Sequence, residues 1–259
     1  MAATEAAEGG AEAGGGLAID PMHQFVIERI IPMKIGNIDF SFTNSSLYMV
    51  VAVLGISALM LMGSKSRTLV PGRLQSVAEM AYEFIADMVR SNCGEEGMKY
   101  FPYIFSLFMF VLFANMIGMI PYTFTVTSHI IVTFAMAMAV FITVTVVGVV
   151  KNGVGFLKLF APSGVPMALM PLMIVIEVIS YLSRPISLSV RLFANMMAGH
   201  AMLKVFGGFV VALGAAFGWV PLALMVGLTG LEFLVAFLQA FVFAMLSCIY
   251  LSDALHPAH

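Results

Sequence analysis

The sequence predicts an all-α integral membrane protein. It has about five membrane helices plus one interfacial amphipathic helix, and the last two helices are long and strongly tilted as a hairpin. Three observations carry this. Mean hydropathy is +1.02, with 61% hydrophobic residues. Charged residues make up only 10% of the chain, against about 25% in soluble domains, so little of the surface is built to face water. Apolar runs also recur at helix length, and a bilayer core about 30 Å thick takes about 20 such residues to cross.

Taken in order, residues 1–20 are an Ala/Gly/Glu tail. It holds no Lys or Arg and no apolar centre, so it is neither a secretory signal nor an Arg-rich transit peptide, and it is expected to be disordered. Residues 21–259 are read as a single membrane domain. The first span is about 45–63, bounded by Lys65 and Arg67. Residues 73–90 place Glu79, Glu83 and Asp87 on one side. Val77, Met80, Ala81, Phe84, Ile85 and Met88 follow at helical spacing on the other, the pattern of a helix lying on the membrane. Spans at about 100–120, closed by Pro121, and 129–150, ending before Lys151, come next.

Two apolar stretches remain, about 166–206 and 209–251, with Gly207-Gly208 read as the turn between them. At 1.5 Å per residue each would run roughly 60 Å as one helix, so each must tilt, kink or split into two crossings. Pro171, Pro185 and Pro221 are available kinks. Two tilted helices are preferred over four crossings, because no polar turn divides either stretch. Lys204 and Asp253 are then read as marking helix ends. Lys and Arg follow spans one and three, and the 121–128 loop has none. This predicts an exterior N-terminus and a cytoplasmic C-terminus.

Other function classes fit poorly. A net charge of −2 offers no field for nucleic acid. Cys93 and Cys248 have no metal-ligand spacing, and no phosphate-binding glycine loop occurs, so no metal and no cofactor is expected.

The chemistry-bearing residues stand out against this background. Glu177, Arg184, Arg191 and Glu232 lie within apolar sequence, where a charge is costly and by default marks an ion path or substrate site. Glu177, Arg184 and Arg191 recur every seven residues, with Ser180, Ser187 and Asn195 at the intervening and following helical steps. That is one polar stripe on one helix face. His200, nine residues past Arg191, points about 180° away at 100° per residue. Glu232 and Gln239 share a face of the last helix. Polar glue between helices is an alternative for Ser180, Ser187 and Asn195. It is a weak one for Arg191, whose guanidinium cannot shed its proton. His129 is read as a residue at the exterior mouth or an interfacial histidine. Arg184 is read on the cytoplasmic path or, preferably, paired with Glu177.

Residues 183–200, Ser-Arg-Pro-Ile-Ser-Leu-Ser-Val-Arg-Leu-Phe-Ala-Asn-Met-Met-Ala-Gly-His, resemble the signature of ATP synthase subunit a. The Arg-Leu-Phe-Ala-Asn core is the specific part. Asn115 in Phe-Ala-Asn-Met-Ile-Gly, the interfacial helix and the two long C-terminal helices agree in order. The resemblance implies a stator facing a ring of c subunits, in a complex with b/b′-type peripheral stalk subunits. It implies two offset half-channels for protons, coupled to ring rotation and ATP synthesis, with no chemistry on ATP in this chain. Arg191 matches the family's essential arginine, and Asn195 its downstream asparagine. Glu177 matches a cytoplasmic half-channel acid. His200, Glu232 and Gln239 match the exterior half-channel, and the resemblance places Asn115 among the half-channel residues as well. Relative to many bacterial members, the acid and the histidine at 200 and 232 are exchanged, as in the mitochondrial-like branch. The implied location is a bacterial inner membrane, with an organellar inner membrane as alternative. A secondary transporter would show inverted repeats, and no second copy of the charged stripe is present. A passive scaffold would leave the buried charges without a purpose.

Overall fold

In the computed structural model the described residues are 29–31, 34–35, 38–39, 41–65, 72–120, 123–160 and 169–255. The tail expected at 1–20 lies outside them.

The described N-terminal residues form two short antiparallel ladders. Strand β1 (Arg29–Ile31) pairs with β4 (Phe42–Thr43), and β2 (Lys34–Ile35) with β3 (Ile38–Asp39). These strands were not anticipated. Two or three residues are too few for a periodic signal.

Among the described residues six α-helices follow: α1 (Asn44–Lys65), α2 (Arg73–Gly97), α3 (Phe101–Gly118), α4 (Ile130–Asn152), α5 (Met170–Phe217) and α6 (Trp219–Leu255). Among the described residues, five helical segments are long and apolar enough to cross a membrane. A slab with no water forces every backbone N–H and C=O into internal hydrogen bonds, which is why the apolar runs are helical.

Helix α2 differs from its expected form in two ways. It continues past Arg90 to Gly97, with a break at Gly94 (φ 66°). Its packed face is also rotated. Ala78, Ile85, Ala86, Met88, Val89 and Cys93 are buried, while Val77 and Met80 are exposed. The reason is that α2 must serve two apolar surroundings. Ala78 meets Gly63 of α1, Phe84 packs against Phe237 and Phe241 of α6, and Val77 and Met80 turn outward.

Helix α6 is the hub and touches α2, α3, α4 and α5. Ala236, Ala240, Ala244, Ser247, Cys248 and Leu251 are buried along it, largely at four-residue steps. Small side chains at that spacing let helices approach closely in a membrane, where van der Waals packing replaces the hydrophobic drive. Phe108, Phe243, Ile104, Met109, Leu188 and Leu192 fill the core between helices. By contrast Leu172, Val175, Ile179, Leu182, Ile186 and Val190 on α5 are all exposed.

The hairpin turn corrects the expected position. Helix α5 runs through Gly207-Gly208 and Lys204 without interruption, and the break falls at Gly214 (φ 60°), with α6 starting after Gly218. The long stretches are therefore 170–217 and 219–255, not 166–206 and 209–251, and Lys204 does not mark an end. Glycine inside a helix costs only about 1 kcal/mol relative to alanine. An unpaired backbone group in hydrocarbon costs several. The helix thus persists through the first glycine pair and breaks only at Gly214, which adopts positive φ.

Candidate functional site

On α5 the expected polar stripe divides into an outward and an inward set. Ser180, Ser187, Arg191 and Asn195 are exposed, and Glu177 is half-exposed. Among the described residues no hydrogen bond or ion pair holds the Arg191 guanidinium. Buried Leu188 and Leu192 fix the adjoining face of the same turns, and the Arg191 side chain is exposed.

Arg184 behaves differently. Its Nη1 donates to Asp253 Oδ2 at 3.0 Å, and its guanidinium lies over the rings of Tyr181 (5.3 Å) and Tyr250 (4.8 Å). Tyr181 in turn shares a 2.6 Å hydrogen bond with Thr145 of α4. The expected Glu177–Arg184 pair does not form. Seven residues along one helix separate those two by about 10 Å of rise, whereas the last turn of α6 delivers a carboxylate directly. Arg184 thus clasps α5 to the end of α6. Double-mutant cycles with Arg184→Gln and Asp253→Asn, read as thermal stability of the purified complex, should give a coupling of about 1 kcal/mol. Additive losses would show that the pair contributes nothing.

Three contacts climb the α5–α6 seam from that clasp towards the turn. Arg184 meets Asp253, Asn195 Nδ2 donates to Gln239 Oε1 at 3.0 Å, and Gly199 lies against Glu232. A Cβ at 199 would come within 2.9 Å of Glu232 Cδ, so a larger residue there would push the carboxyl group out of its present place. Both carboxyl oxygens of Glu232 are buried without a hydrogen-bond partner among the described residues, as is Gln239 Nε2. Buried polar atoms are normally satisfied. A carboxyl group left this way keeps its lone pairs available for a proton.

His200, next to Gly199, turns to the interior and meets Thr125 Oγ1 at 3.1 Å through Nε2. It therefore faces away from the Arg191 surface, as the helical angle requires. Asn115 is wholly buried. Its Oδ1 accepts from Thr127 Oγ1 at 2.8 Å, and its Nδ2 donates to Ala236 O at 3.2 Å. His129 caps α4 and stacks on Phe124 with centroids 4.8 Å apart, and its Nε2 has no partner among the described residues. Thr133 and Ser189 share a buried hydrogen bond of 3.2 Å between α4 and α5.

The structure thus gathers Asn115, Asn195, His200, Glu232 and Gln239 along the α5–α6 seam and the turn before α4. Arg191, Ser180 and Ser187 lie on the outer face of α5. Thr125, Thr127, Thr133, Ser189, Tyr181 and Gly199 were not singled out from sequence. A signal existed for two of them. The uncharged link between the second and third spans carries Thr123, Thr125, Thr127 and Ser128. Hydroxyls concentrated there had to find partners.

The profile of the family described as "ATP synthase A chain" matches residues 46–252. The chain is 60% identical to ATP synthase subunit a of Parvibaculum lavamentivorans, over 98% of this chain and 100% of that protein. It is 62% identical to subunit a of a Chelativorans species and 59% identical to that of Pelagibacter ubique, each over 94% of this chain and 100% of the relative. A match of this length, on a bundle whose long C-terminal hairpin presents the arginine stripe, makes the chain a member of the ATP synthase A chain family.

Proposed function

We propose that this chain is the proton-conducting stator of a rotary ATP synthase. It offers two offset half-channels to the carboxylates of a c-subunit ring, with Arg191 between them. The observation that carries the reading is the placement of Arg191. A permanent cation stands on an exposed face of α5 without a partner among the described residues, while His200 turns inward from the same helix and Glu232 of α6 lies against Gly199. A cation at that depth calls for an anion or water. A ring carboxylate passing the outer face of α5 supplies the anion intermittently, which a fixed partner could not do.

The residues divide into roles by position. Outside the arginine, His129 stands near the mouth, and His200 and Glu232 carry protons, with Asn195 and Gln239 alongside. Towards the cytoplasm, Glu177, Ser180 and Ser187 line the second path, and Arg184 with Asp253 closes the helix ends. The arginine favours the ionised form of a carboxylate facing it and repels hydronium. Protons then reach the far path only by riding the ring. The Lys and Arg distribution supports an N-terminus in the periplasm and a C-terminus in the cytoplasm of a bacterial inner membrane. The exposed apolar faces are covered by lipid, the ring and the peripheral stalk subunits. Proton pumping by membranes carrying Arg191 variants tests the reading, and coupled transport without a cation at 191 would contradict it.

A further inference from the structure

Thr125 stands between two groups that make different demands on it. Its Oγ1 donates to Gly118 O at 3.4 Å and lies 3.1 Å from His200 Nε2. A hydroxyl carries one hydrogen, and a carbonyl oxygen can only accept. With that hydrogen directed to Gly118, Thr125 meets the imidazole through a lone pair, and Nε2 must bring the hydrogen. In a neutral imidazole the other nitrogen, Nδ1, is then the acceptor.

The geometry points to Thr125 as a positioning residue that holds His200 in the Nε2–H tautomer, so that protons join and leave the ring at Nδ1. The inference rests on the reading of His200 as a proton carrier and adds which atom carries.

The surroundings hold Thr125 in place. A Cβ at Gly118 would come within 2.7 Å of Thr125 Cγ2 and 2.9 Å of its Oγ1, so α3 is cut back to glycine where the threonine seats. The 3-10 turn Val126–Ser128 follows directly. Asn115 ties that turn to α3 through Thr127, and ties α3 to α6 through Ala236 O, one turn beyond Glu232. With both ends of its amide engaged and no titratable proton, Asn115 is a clamp for this turn and not a carrier. The acid and the histidine are thereby indexed to one buried asparagine. The charged groups on the elements around His200 are Lys204, one turn further along α5, and Glu232 on α6. His129 begins α4, while Thr125, Thr127 and Asn115 from the turn and α3 are neutral.

The test is proton pumping by inverted membrane vesicles holding the full complex, measured across pH for Thr125→Val, Thr125→Ser and His200→Ala. Thr125→Val keeps the shape and removes the acceptor. It should lower flux about five- to tenfold and move the midpoint of the pH profile by about half a unit or more. Thr125→Ser should restore both. A general packing defect would lower flux at every pH without moving the midpoint, and would overturn the inference. Where the valine variant fails to assemble, Thr125→Ala carries the same reading. Loss of pumping in His200→Ala with an unmoved profile in Thr125→Val would overturn the role of Thr125 and leave the stator reading standing. Full pumping in His200→Ala would overturn both the role of Thr125 and the reading of His200 as a proton carrier.

Discussion

Membranes carrying Arg191→Ala are expected to lose ATP synthesis driven by a proton gradient, and to lose ATP-driven pumping with it. The magnitude follows from electrostatics. A unit charge 4 Å from a carboxylate contributes about 4 kcal/mol at an effective dielectric near 20, roughly three decades in a rate or a partition. Without the cation, the passing acid is no longer favoured in its ionised form, and the barrier between the two water paths falls. Passive proton leak should therefore rise while coupled transport disappears. Arg191→Lys keeps a charge but loses the planar fork and can shed its proton, so it should recover only part of the coupling. Synthesis rates and passive proton conductance, measured on the same vesicles, check both halves of the expectation.

The second large effect belongs to Glu232. Glu232→Gln preserves the contact with Gly199 but removes the proton that a carboxyl can carry, and proton flux should fall by about 10². Glu232→Asp should retain more flux than the glutamine, because it keeps the acid while shortening its reach. The seam is so close at Gly199 that shape and chemistry are both at stake, and the pair of variants separates them. If glutamine and aspartate lose flux equally, the shape of the side chain and not its proton is what matters there.

What the sequence made legible follows from which physics is local. Apolar length and helical angle are properties of one segment, and they placed the polar stripe on α5 and set His200 opposite Arg191. The turn between the last helices was harder. Two adjacent glycines look like a break, yet α5 continues through Gly207-Gly208 and turns at Gly214, because a helix in lipid gives up its hydrogen bonds reluctantly. That displacement has consequences for pairing. A hairpin folded at Gly207-Gly208 would set Asn195 across from Val220. Folded beyond Gly214, it brings Asn195 to Gln239 and Arg184 to Asp253. Both asparagine and glutamine were legible as polar residues on their helices, but their partnership depends on a register that only the turn decides. Arg184 shows the same limit. Periodicity pointed to Glu177 on its own helix, whereas the acid that binds it lies 69 residues away in sequence. Thr125 and Thr127 read as loop residues, and their meaning came only when α3, α5 and α6 converged on them.

The central claim concerns what passes in front of Arg191. Single cysteines at Ser187 and Ala194, exposed on the outer face of α5, should form disulfides with cysteines flanking the ring carboxylate in the assembled complex. The account predicts that these cross-links form in high yield and stop proton-driven turnover. Ready cross-linking to a static neighbouring subunit, with none to the ring, would contradict it.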